Sequence, residues 1–235
     1  MSELLERVII PCMRRVFVDP RAPQRDAIHE AAHWILNGGL VAVPTDTLYG
    51  LAVDPFRTDA VTRLFAAKSR DEGHAVPLIA ADAAQVREHL APLSPRAACL
   101  VDRFWPGPLT VLVAAPFALA RNVDGGTGKI GVRVPDHAVA RAIAAACGRP
   151  ITATSANISG EPATADPDDV ERTLGDRIDL LIDTGPTPGG PPSTIVDTTT
   201  DDLRLVRPGA VHWDDIEACL RRSGLERTKR SLRAT

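Results

Sequence analysis

Short apolar runs alternate with segments of helical period along nearly the whole chain, and that alternation leaves few folds open. Leu40–Val43, 51–54, Val76–Ala80, Leu109–Ala114, the GKIGVRVP segment, 151–154, IDLLID, 194–198 and 203–206 read as strands. A further strand is expected around Val16–Val18. Between them, Ile28, Ala31, Ala32, Ile35 and Leu36 repeat at helical spacing and stop at Gly38-Gly39, and Val61, Leu64 and Phe65 share a second helix face. Thr58, Asp82, Ser94 before Pro95, Asp136 and Asp166 before Pro167 are placed to cap helices, and a last helix begins near 213. No composition break divides the chain. The expectation is a single α/β domain with a mixed sheet. The hairpin-like spacing of 109–134 and 194–206 is what makes the sheet mixed rather than parallel.

Composition removes several function classes. With a net charge of −3, the molecule as a whole is no polyanion trap, so nucleic-acid binding would need a local basic patch. Aromatic residues make up only 4% of the chain, too few for a base-stacking platform. Cys12, Cys99, Cys147 and Cys219 form no CxxC pair, and reduced, mostly buried thiols are expected. Neither a signal peptide nor an apolar run of roughly 18 residues is read, so no membrane segment is expected. The histidines form no HExxH set, Lys129 in GGTGKIG lacks Walker A spacing, and GxSxG and GxGxxG are absent.

Chemistry is expected where strands end. Three polar loops follow apolar strands: Thr45-Asp46-Thr47, TSANISG at 154–160 and Pro192-Ser193-Thr194. Each alone is ordinary turn chemistry. Lys68 and Arg70 end a helix, where cations also suit the macrodipole, and Arg133 fits either a ligand contact or a half-exposed edge strand. Arg207 before Pro-Gly has the same two readings. The loop TGPTPGGPPS at 184–193 has the composition of a mobile lid. Spacing alone gives an anion-binding α/β protein.

The ordered set PTDTLYGL, KSR, PL, WPGPLT, VRVP, TSANISGEP, PST and LVRPGA resembles the YrdC/Sua5 family over roughly residues 25–215. The resemblance implies a twisted mixed sheet flanked by helices around a concave cavity, and a nucleotidyltransferase, an L-threonylcarbamoyladenylate synthase that joins L-threonine, bicarbonate and ATP and releases pyrophosphate. Its product would feed t6A37 modification of tRNA through a downstream transferase complex in the cytoplasm. ATP would be a substrate, with Mg2+ carried on it and no metal site in the protein. The implied catalytic residues are Lys68 and Arg70. Arg70, Thr110, Ser155, Asn157 and Arg207 would bind ATP; Thr47 and Ser193 would bind threonine. The implied layout is an extension at 1–22, a YrdC-like catalytic domain at 23–215, and a helix end with a basic tail at 216–235, as in the short form of the family. Ala81 and Ala114 stand where many relatives carry a histidine and a lysine or arginine, and DEGHAV after Arg70 is longer than the usual form. Two alternatives stay open: a same-fold relative making a different carbamoyl or acyl adenylate, and an RNA-binding or ribosome-associated module.

Overall fold

The computed structural model describes residues 13–70, 73–200 and 202–225. Cys12 and the greater part of the basic tail lie outside the described residues.

Eleven strands and seven helices alternate along the described residues. In chain order they are β1 (Arg14–Phe17), α1 (Arg25–Leu36), β2 (Val41–Val43), β3 (Gly50–Ala52), α2 (Thr58–Ala67), β4 (Leu78–Ile79), α3 (Ala83–His89), α4 (Pro95–Phe104) and β5 (Leu109–Ala114). Then come β6 (Lys129–Arg133), α5 (Ala138–Ala146), β7 (Ile151–Thr152), β8 (Thr154–Ser155), α6 (Pro167–Leu174), β9 (Leu180–Asp183), β10 (Thr194–Asp197), β11 (Arg204–Arg207) and α7 (Trp213–Arg222). The helix at 213, the strand near 16 and the hairpin-like segments all appear where the pattern puts them. As expected, β5 with β6 and β10 with β11 pair antiparallel, while β10 with β5 and β4 with β6 pair parallel.

One sheet was expected, and two mixed sheets are present. The first has the order β1-β9-β2-β3-β8, the second β11-β10-β5-β6-β4-β7. The segment read as one strand at 151–154 is where they meet. β7 pairs with β4 in the second sheet, β8 pairs with β3 in the first, and only Ala153 stands between them. Thr152 stitches the junction: its hydroxyl donates to Leu51 O (3.1 Å) and accepts from Val53 N (2.9 Å). Leaving that fully buried hydroxyl unpaired would cost about 1–3 kcal/mol.

Side-chain alternation divides the core. Along β2 and β9, Val41, Val43, Leu180 and Ile182 face α1 and α5, whereas Ala42 and Leu181 join the cluster shared with α2, α4 and the second sheet. The central strands β2 and β9 of the first sheet are thus buried on both faces. Arg15 ties the edge strand β1 to Asp183 of β9 (2.7 Å) and to Asp168 (2.6 Å) and Glu171 (2.5 Å) of α6. Behind the second sheet, α4 packs on α7, with Cys99 Sγ 3.4 Å from Cys219 Sγ. The described cysteines are free; Cys147 and Cys219 are buried and Cys99 is half-buried.

Three caps form as expected. Asp82 accepts from Gln85 N, Ser94 from Ala97 N and Asp166 from Asp168 N. Two do not. Arg57 takes the N-cap position of α2, and His137 that of α5, each without a side-chain cap bond. Thr58 and Asp136 are each displaced by one residue from the role their type suggests. Thr58 enters the helix as its first residue, and Asp136 falls outside the cap.

Candidate active site

Strand alternation builds the floor of a cavity of about 330 Å³. On β6, Ile130 and Val132 go into the core, which turns Gly131 and Arg133 to the opposite face. On β5, Leu109 and Val111 are core and Thr110 and Leu112 are floor, and β10 adds Ile195 to the same face. Gly131 keeps the floor low: a Cβ there would stand 3.1 Å from Thr110 Cγ2. The walls come from the loop after β2 (Thr45, Thr47), from Ala153 to Ser155 at the sheet junction, and from Pro192 with Ser193.

The lining contains Arg70, Arg133 and Arg207 and no aspartate or glutamate among the described residues. Burial is the main influence on all three guanidiniums and lowers each pKa from the usual arginine range. Arg207 is also opposed by the charge of Arg133, whereas Asp46 partly restores Arg133. Three partly desolvated cations around one space favour an anion there.

Arg133 is an interior residue rather than a half-exposed edge one. β6 lies between β5 and β4, and the side chain is buried. Its Nη1 donates to Asp46 Oδ1 (2.7 Å) and its Nη2 to the hydroxyls of Thr45 (3.1 Å) and Thr47 (3.4 Å). Arg133 therefore organises the whole Thr45-Asp46-Thr47 loop. Arg207, at the end of the edge strand β11, donates to Ser193 O (2.7 Å) and Ser193 Oγ (3.1 Å), and Ser193 Oγ lies 2.8 Å from Thr110 Oγ1. Thr110, Ser193 and Arg207 thus form one polar chain that runs from the floor into the wall.

Lys68 and Arg70 diverge because Ser69 between them is left-handed, with φ at 49°. Ser69 N bonds Ala66 O and Arg70 N bonds Phe65 O, which ends α2 in a tight reversal. Arg70 turns into the cavity, where Nη1 reaches Thr154 Oγ1 (3.4 Å). Lys68 turns the other way and does not line it. Its ammonium donates to Ser155 O (2.5 Å), Asn157 O (2.7 Å) and Asn157 Oδ1 (3.3 Å), and Lys68 O accepts from Ser159 N (2.8 Å). Burial, and then the charge of Arg70, bring its pKa down to about 8. Asn157 also stands behind the lining: Oδ1 accepts from Ser155 Oγ (2.5 Å), and Nδ2 donates to Ile158 O (2.9 Å) and Glu161 O (2.6 Å). Of the expected residues, then, Thr47, Arg70, Thr110, Ser155, Ser193 and Arg207 meet in one cavity, with Lys68 and Asn157 bracing Ser155 from behind.

The loop 184–193 is fastened to this site. Thr187 Oγ1 (2.9 Å) and Gly189 N (2.8 Å) both donate to Thr47 O. Tyr49 OH donates to Gly185 O (2.8 Å) and accepts from Thr184 N (3.2 Å). Ala81 and Ala114 are not part of the lining, so those two departures fall outside the cavity.

A family model designated Sua5_yciO_yrdC, with the description "Telomere recombination", matches residues 33–209. The chain belongs to the Sua5/YciO/YrdC family. Among its relatives, a Bacillus subtilis protein named threonylcarbamoyl-AMP synthase is 37% identical over 194 residues, 82% of this chain and 56% of that protein. A Halorhodospira halophila protein of the same name is 40% identical over 155 residues, 66% of this chain and 81% of that one. The crystal structure of Pyrococcus abyssi Sua5 complexed with L-threonine superposes with a TM-score of 0.84 at 34% identity, covering 92% of this chain and 62% of that one. This Sua5/YciO/YrdC chain thus spans little more than half the length of the B. subtilis relative.

Asp46 is the residue that sequence reasoning passed over. A carboxylate inside a small polar loop looks like turn chemistry, and nothing local shows that an arginine from a strand 87 residues away will pair with it.

Proposed function

We propose that this chain catalyses formation of L-threonylcarbamoyl-AMP from L-threonine, bicarbonate and ATP, with release of pyrophosphate and water. The observation that carries this reading is the cavity holding Arg70, Arg133 and Arg207, with no acid in its lining among the described residues, within a fold that closely matches a threonine-bound relative. The threonine amine adds to bicarbonate and water leaves, giving a carbamate. A carbamate oxygen then attacks the α-phosphorus of ATP, and the bond to pyrophosphate breaks. Nucleophile and target are both anionic, so fixed cations and hydroxyls are the natural catalyst, each such group contributing roughly 3–4 kcal/mol. The substrate supplies the nucleophile, and holding it in line does the rest.

In this reading Arg133, with Thr47 beside it, takes the carboxylate of the amino acid. Arg70 and Arg207 face the phosphates, with Thr110, Ser155 and Ser193 donating to oxygens between them. Lys68 acts through Ser155 and Asn157, whose carbonyls it holds. Mg2+ would enter on the nucleotide in this reading. The product would pass to an enzyme that transfers the threonylcarbamoyl group to tRNA. No helix among the described residues is long and apolar enough to cross a membrane.

The test is pyrophosphate release by the purified protein. Release should require L-threonine and bicarbonate together with ATP; release indifferent to threonine would overturn the reading.

A further inference from the structure

Among the described residues, two buried polar side-chain atoms have no hydrogen-bond partner, Asp46 Oδ2 and His137 Nδ1. Such an atom normally carries an uncompensated desolvation cost, so two together need a reason. His137 feels the charge of Asp46, and Asp46 is the partner of Arg133. Asp46 grips its Nη1 through Oδ1, and its side chain is 9% exposed. His137 comes four residues after Arg133, where the chain leaves β6 and turns into α5. Arg141 fixes that turn by donating to Pro135 O (2.7 Å) and pairing with Asp136 (3.4 Å). His137 occupies the N-cap position of α5 yet makes no cap bond with its ring. A position that usually holds Ser, Thr, Asp or Asn is thus given to a side chain that does nothing for the helix.

We propose that His137 is a positioning residue for Arg133. Its Nδ1 carries the proton that Asp46 Oδ2 lacks, so the carboxylate is held by two donors and presents Arg133 to the substrate carboxylate in one orientation. The two atoms do not bond each other in this structure, and the contact assigned between them is made directly or through one water. The electrostatics agree. Burial lowers the pKa of His137, which keeps the ring neutral and able to donate from one nitrogen. Asp46 is the strongest of the charges that reach it, followed by Arg141 and Asp136. Protonation of the ring in acid would set a second cation against Arg133 for the same carboxylate.

This inference rests on the assignment of Arg133 to the amino-acid carboxylate, and the experiment separates the two. L-Threonine binding and steady-state pyrophosphate release are measured for the wild type, His137→Ala and His137→Asn, with thermal melting of each. Loss of a hydrogen bond to a charged group predicts that His137→Ala raises KM and Kd for threonine about tenfold. KM for ATP should stay within about twofold, because the phosphate side keeps its own cations. His137→Asn, whose amide can donate from the place of Nδ1, should restore threonine binding. An acid-side rise in threonine KM, below the usual histidine range, should vanish in His137→Asn. Where His137→Ala does not fold, Asp46→Asn decides: with the accepting carboxylate gone, the acid-side rise in threonine KM should vanish there as well, and its persistence would overturn the role of His137. Absence of threonine binding by the wild type would overturn the functional reading itself. Wild-type binding with unchanged affinity in His137→Ala, or equal loss for ATP and threonine, would overturn the role of His137 alone.

Discussion

An ammonium surrounded by carbonyl oxygens, with no carboxylate in reach among the described residues, titrates unlike one in water. Lys68 is in that position, its pKa brought to about 8 chiefly by burial. A folded-state pKa below the unfolded one contributes stability that is full above the unfolded value, near 10.5, and is lost as pH falls through about 8. Activity should move the opposite way. The proton on Lys68 holds Ser155 and Asn157 in place, so pyrophosphate release should decline as pH rises through about 8. Lys68→Met should flatten both profiles, measured by denaturant unfolding and by initial rates; an unchanged alkaline limb in that variant would refute the role.

Arg133 yields a second prediction at this scale. Its guanidinium serves Asp46, Thr45 and Thr47 at once, and one ammonium cannot match that fork. Arg133→Lys should therefore raise KM for the amino acid by about tenfold or more, roughly 1.4 kcal/mol or above, with a smaller change for ATP. Isothermal titration with each ligand checks it.

At the scale of elements, the end of α2 decides where two cations go. Ser69 adopts a conformation that suits glycine, so Ser69→Gly should stabilise the fold by about 1 kcal/mol or less, and Ser69→Val should destabilise it by about 1–2 kcal/mol. Thermal melts of both variants test this; equal melting temperatures would mean the reversal carries no strain. The same segment shows what could be read from residues alone. A helix ending at Lys68 was legible, because Val61, Leu64 and Phe65 share a face. The left-handed serine was not, since no side-chain pattern announces it. Alternation gave the strands but not their partners: 151–154 reads as one apolar strand, and only pairing with β3 and β4 splits it between sheets. Ser193, Thr110 and Arg207 were legible as ends of strands, whereas their contact with one another depends on β10 lying between β5 and β11. Asp46 with Arg133 was hidden for the same reason.

For the molecule as a whole, the cavity spans two sheets, so anything bound in it adds contacts between them. Ligands at about 100 times their Kd should stabilise the folded chain by about 2.7 kcal/mol. For a chain of this size that is a rise in Tm of roughly 5–10 °C. The loop 184–193 hangs on Thr47 O through Thr187 and Gly189, which makes it the place where occupancy should be felt first. ATP with threonine should slow proteolysis there. Cleavage at the same rate with and without both ligands would show that the loop is no lid.

Ala153 gives the cavity a further property. The sheets on either side of the binding space are joined there by a single residue, the shortest covalent link between them. Two boards fastened by so short a strap cannot be moved apart at that edge without stretching the strap. Ala153 is itself part of the lining, so the strap runs along the rim of the slot. One added residue there could widen that edge by no more than about 3.6 Å, roughly the room for one more carbon substituent. The bulk of the molecule that fits is then a matter of chain length as much as of side chains, and lengthening the strap is the direct way to make the slot accept a larger guest.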